Sequence, residues 1–103
     1  MLNQINKFDD ATVQRVWDKG TAVVNFDPNK FRKDACNAWI SRAEYGKTDS
    51  IYGWQVDHIK PVASGGSDDL SNLRPLQWEN NQSRQDGPLR CPIVSSGTNN
   101  VRR

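Results

Sequence analysis

The chain has 103 residues and a formal net charge of +2 at pH 7. That length suits one small domain and excludes two. No apolar run approaches the roughly 20 residues that cross a bilayer. So small a charge gives no compositional case for nucleic-acid binding, which must rest on where the basic residues sit.

The apolar fraction is 35%, but four Trp, three Phe and two Tyr raise the burial available per residue, so a folded domain is expected. The stretch Met1 to Lys7 lacks an apolar leader core, so a cytoplasmic protein is expected. Cys36 and Cys91 fit no C-x-x-C pattern, so no zinc ribbon is read. Two reduced thiols are favoured, with a disulfide between them as the alternative.

In chain order, a helix is expected from about Asp10 to Lys19, capped by Asp9 or Asp10 and stopped at Gly20. Val13, Val16 and Trp17 form its apolar stripe. Thr21 to Phe26 is β-prone, and Asp27-Pro28-Asn29-Lys30 is a turn. Phe31 to Lys33 and Ala38 to Ile40 are read as short extended pieces around a turn. Ser41 can open a helical turn that Gly46 stops. Lys30, Arg32, Lys33 and Arg42 cluster here with Phe31 and Trp39, a mixture that suits phosphates and sugars as well as plain solvent.

Trp54-Gln55-Val56 leads as a strand into Asp57-His58. Pro61 ends regular pairing, and Gly65-Gly66 permits a loop with positive φ. Leu70 to Leu76 is expected to be extended, with Leu70, Leu73 and Leu76 inward. A last helix runs from about Gln77 to Arg84 or Gln85 and is stopped by Gly87-Pro88. Residues 87–103 are poor in apolar side chains and are expected to form a mobile tail.

The centre therefore reads strand, loop, extended piece, helix. Asp57 offers an anionic oxygen and Asn81 a neutral one, a pair that suits Mg²⁺ or Mn²⁺. His58, the only histidine, offers a nitrogen base with an ordinary pKa near 6.5. Singly, each of these residues has an ordinary structural role. Alternation along a strand also sends Asp57 and His58 to opposite faces, so one shared site requires the strand to end or twist there.

The spacing of Asp57-His58-Ile59, Pro61, Gly65-Gly66, Asn72-Leu73, Leu76, Asn81 and Arg84 resembles the HNH endonuclease motif of the ββα-metal nucleases. It looks like the small stand-alone proteins of bacteria and phages, in an H-N-N variant. The resemblance implies an α+β fold: a ββα-metal core at 54–86, supported by helical and extended segments at 1–53, in one nuclease domain over 1–86. It implies that Asp57 and Asn81 bind one divalent ion, that His58 is the general base, and that Asn72 fixes the loop. Arg84, Lys60 and Arg74 are then candidates for phosphate contact, with Arg42 and Lys33 further out. Many members hold structural zinc with cysteines where Gln77 and Asn80 stand here, so no structural zinc is expected and the aromatic core must hold the unit together. The implied activity is metal-dependent hydrolysis of DNA, double-stranded DNA ahead of RNA, leaving 5′-phosphate and 3′-hydroxyl ends. The implied setting is without a membrane, as a homodimer or within a larger phage or defence assembly. The alternative is a catalytically silent nucleic-acid-binding module of the same shape.

Overall fold

The computed structural model describes residues 8–103. Met1 to Lys7, read above for a leader, lie outside the described residues. Two helices and three antiparallel strand pairs make up a small α+β fold: α1 (Asp10–Trp17), β1 (Phe31–Lys33), β2 (Trp39–Ser41), β3 (Trp54–His58), β4 (Leu73–Gln77), α2 (Trp78–Arg84), β5 (Ile93–Ser96) and β6 (Asn99–Arg102). The pairs are β1–β2, β3–β4 and β5–β6.

Asp9 caps α1, its carboxylate accepting the Thr12 N–H at 2.8 Å. The helix buries Val13, Val16 and Trp17, its apolar stripe, against β3 and β4. Trp54 stands at the centre of this core, with Trp17 at 5.3 Å and Tyr45 at 4.8 Å between ring centroids. Tilted rings at such distances add attraction beyond their burial.

β3 and β4 pair in strict register, from Trp54 opposite Gln77 to His58 opposite Leu73. Alternation gives the hairpin two faces. Trp54, Val56 and Leu73 join the α1 core. Gln55, Asp57, Arg74 and Leu76 belong to the other face, over which α2 packs. The hairpin thus lies between the two helices.

Four expectations are corrected. Thr21 to Phe26 is not a strand: Thr21 alone bridges to Lys33, Asn25 takes a left-handed φ of 73°, and Val24 is exposed. Leu70 lies in a 3-10 turn and is exposed, whereas Leu73 and Leu76 are buried. Cys36 and Cys91 are not free thiols but form a disulfide.

The segment after Gly87 is not a mobile tail. It folds into the β5–β6 hairpin and docks on the body of the protein. Ile93 is buried, and two side-chain amides tie the hairpin to the body. The Asn100 side chain receives the Trp39 N–H and donates to the carbonyls of Trp39 and Ile51. The Asn80 side chain likewise receives the Ile93 N–H and donates to the Ile93 carbonyl. A side-chain amide carries the same donor and acceptor as a peptide group, so each asparagine stands in for a strand neighbour.

Asp34 completes this back wall. Its carboxylate accepts from the backbone N–H groups of Cys36, Ala38 and Gln77 and from the Asn80 amide. Burial raises its pKa above the ordinary 3.8, and those hydrogen bonds pull it back down. Gln77 and Asn80, at the start of α2, are therefore tied to the Asp34 loop by a hydrogen-bonded hub with a disulfide beside it. The aromatic core is not the sole brace.

Candidate functional site

The site candidates sit at the end of β3. The strand stays regular through His58, so Asp57 and His58 do point to opposite sides of the hairpin. Asp57 faces α2 and is buried; His58 lies on the α1 side, with the Phe8 ring at 5.9 Å.

On the His58 side, Nε2 lies 2.7 Å from Asp68 Oδ1. An ionised carboxylate only accepts, so the ring nitrogen there is the donor, and the lone pair of the neutral imidazole falls on Nδ1. Asp68 was not singled out from the sequence. It is one of two adjacent aspartates in a polar loop, and only the chain's path brings it back to His58.

That path is set by Asn72. Its side-chain oxygen accepts the Lys60 N–H at 2.8 Å, and its nitrogen donates to the carbonyls of Lys60 and Ser67 at 3.1 and 2.8 Å. The loop closes so tightly that a Cβ on Gly66 would lie 1.7 Å from the Lys60 carbonyl oxygen, and Gly65 takes a φ of 89°. Both glycines are needed by the geometry, one for close approach and one for backbone conformation. Asn72 thereby fixes the loop that carries Asp68.

On the Asp57 side the carboxylate is held by two guanidinium groups. Arg74, directly across the ladder, donates from Nε to Oδ2 at 2.7 Å. Arg84 donates from Nη1 to Oδ1 and Oδ2, both at 2.8 Å. It also donates to the carbonyls of His58, Ile59 and Gly87. Arg84, expected to contact a phosphate, is buried and nearly saturated as an internal clamp between α2 and the end of β3. Arg74 is the more open of the pair, with 21% of its side chain exposed against 8% for Arg84.

Asn81 sits one turn before Arg84 on the same helix face. Its amide nitrogen donates to Gln55 Oε1 at 2.7 Å. Gln55 and Asp57 share a strand face, so two rungs lie side by side: Gln55–Asn81 and Asp57–Arg84. A hard divalent ion wants oxygens of the kind Asp57 and Asn81 carry. The donor types fit, but an ion reaches Asp57 only by displacing a guanidinium. Among the described residues, no group of three or more His, Cys, Asp or Glu is placed to hold a metal.

The other basic candidates are dispersed. Lys60 is exposed on the glycine loop. Arg42 donates to Gln14 and lies over the Trp54 ring at 5.8 Å. Lys33 lies over Trp39 at 4.8 Å, on the β1–β2 hairpin. The structure therefore brings together His58 with Asp68 and Asn72, and Asp57 with Arg74 and Arg84. It does not gather Arg42 and Lys33 to them.

In comparison with known proteins, residues 44–86 match the family model described as HNH endonuclease. The match holds Asp57, His58, Asn72, Asn81 and Arg84. No curated protein and no solved structure matches the chain. Among the described residues, no helix is long and apolar enough to cross a membrane.

Proposed function

We propose that the protein is a metal-dependent endonuclease that hydrolyses DNA phosphodiester bonds, a reading supported by the match of residues 44–86 to the HNH endonuclease model. The observation that carries this reading is the pairing of His58 with Asp68, on a loop fixed by Asn72, at the strand end of an HNH domain. Asp68 holds the Nε2 proton, keeps the ring oriented and leaves Nδ1 to accept a proton from the attacking water. As the ring gains charge, the carboxylate stabilises it. A divalent ion, Mg²⁺ or Mn²⁺ by their oxygen donors, would be held by Asp57 and Asn81 across the hairpin from His58, and would polarise a scissile phosphate lying over the strand end, where β3 stops at His58, and offset charge on the leaving oxygen. Arg74, the more exposed of the two arginines on Asp57, would be the one placed to bind a phosphate oxygen if an ion were held there. The products are 5′-phosphate and 3′-hydroxyl ends. The substrate is duplex DNA ahead of RNA, cut by a homodimer or within a larger phage or defence assembly.

A second reading is a catalytically silent DNA-binding module of the same shape. It is favoured by the two arginines that already neutralise Asp57. Supercoiled plasmid separates the two. The nuclease nicks or linearises it with Mg²⁺ or Mn²⁺, stops in EDTA, and loses cleavage but not DNA binding in His58→Ala. Intact plasmid under every metal, with DNA still bound, establishes the second reading and removes the first.

A further inference from the structure

Apart from the His58 site, a cleft of about 200 Å³ is lined by Phe26, Phe31, Trp39, Tyr52 and Thr98. These rings lie outside the α1 core. Trp39 is fixed from behind, its Nε1 donating to the Gly97 carbonyl at 2.8 Å. The Tyr52 hydroxyl points at the β5–β6 turn, 3.4 Å from Asn99 Oδ1. Phe26 leans on Trp39 at 4.7 Å between centroids, yet Phe26 and Phe31 remain 36% and 38% exposed. Aromatic rings left open to water in this way form a ready surface for another planar group.

The size and the rim select the occupant. The cleft is smaller than the roughly 300–1,000 Å³ of drug-sized sites, so it holds one flat ring system. Phe31 and Lys33 share a face of β1, and Lys33 pairs across the ladder with Trp39. Lys30 is exposed next to them, and Asp27, the nearby acid, already accepts the Asn29 N–H. Neither lysine forms a salt bridge among the described residues. Rings for a base with cations for its backbone make up the arrangement by which proteins hold single strands.

The geometry points to this cleft as a stacking site for one unpaired base of single-stranded DNA. The inference rests on the DNA reading above and sharpens it: the substrate carries an unpaired stretch beside the scissile bond. Tyr52 precedes His58 by six residues, so the two backbones are at most about 20 Å apart. That is about six nucleotide steps along a strand.

The test uses the full chain carrying His58→Ala, in EDTA, so that cleavage plays no part. Oligonucleotides with 2-aminopurine, single-stranded or in duplex, report stacking by fluorescence. Single strands are expected to bind and to quench the probe. Phe26→Ala and Phe31→Ala, which truncate exposed rings, lower single-strand affinity by roughly tenfold and leave duplex affinity and melting temperature in place. Equal loss on single and double strands, or no loss, overturns the proposal. So does a dimer that Phe31→Ala dissociates while DNA affinity stays constant, since the cleft would then seat a second copy. Single-strand stacking by a wild-type chain that cuts no plasmid supports this site and removes the nuclease reading. Cleavage with no effect at the rings does the reverse, and a chain that binds no DNA overturns both.

Discussion

Asp34 and Asp57 are both buried carboxylates, 5% and 4% exposed, and their partners differ in kind. Asp34 is surrounded by neutral donors: three backbone N–H groups and one amide. Asp57 is surrounded by charge, with two guanidinium groups at 2.7 and 2.8 Å. Neutral N–H groups stabilise a carboxylate only through hydrogen bonds, so burial still lifts the Asp34 pKa. Asp34 is architecture, joining the β1–β2 turn to the start of α2. Asp57 has cations for partners, of which Arg74 is partly exposed, and one cation can be exchanged for another. The comparison separates a brace from a place where a metal ion could enter.

The sharpest way to break that comparison is Asp57→Ala. It leaves two guanidiniums unpaired, one of them on the buried Arg84, and should destabilise the fold by about 3–5 kcal/mol. Below its own melting temperature the variant should still lose cleavage by roughly a hundredfold to a thousandfold. Cleavage at the wild-type rate by a folded Asp57→Ala protein would make Asp57 a brace like Asp34.

The disulfide tests the opposite wall. Cys36 N–H donates to Asp34, and the bond closes a separation of 55 residues. Reduction, or Cys91→Ser, should cost about 4 kcal/mol by loop entropy, read in urea melts with and without dithiothreitol. The surviving folded protein should cleave DNA as before. An unchanged melt would show that buried Ile93 and the hydrogen bonds of Asn80 and Asn100 hold the hairpin without the disulfide.

The smallest effect is a pH slope. The folded-state pKa of Asp34 is raised above 3.8, so the folded chain holds that proton more tightly than the unfolded chain. This contribution to stability is complete below the unfolded pKa and is lost as pH rises through the folded one. Asp34→Asn should remove that slope and cost about 1–3 kcal/mol near neutrality, because an N–H₂ then meets other donors. Melts of the two proteins between pH 3 and pH 6 should converge, the wild type's margin narrowing as pH rises. A constant difference across that range would contradict the raised pKa.

Local chemistry decided much of this protein before folding. The stripe of Val13, Val16 and Trp17, the cap at Asp9, the turn at Pro28 and the strand into Asp57-His58 each depend on near neighbours, and the structure has them. So does the motif from Asp57 to Arg84, because its spacing is a property of the chain. What the sequence could not decide were the partnerships made at a distance. Leu70 looked like Leu73 and Leu76, yet only the path of the loop shows that it faces water. Residues 87–103 looked too polar to dock, because hydrophobic counting gives no weight to Asn80 and Asn100 acting as peptide groups. Cys36 and Cys91 carried no spacing signal. Asp68 finds His58, and Arg74 and Arg84 find Asp57, across separations that no local pattern encodes. Sequence placed the reactive groups along the chain; tertiary structure chose which charge each of them faces, because ion pairs and buried hydrogen bonds depend on approach within a few ångströms and not on order.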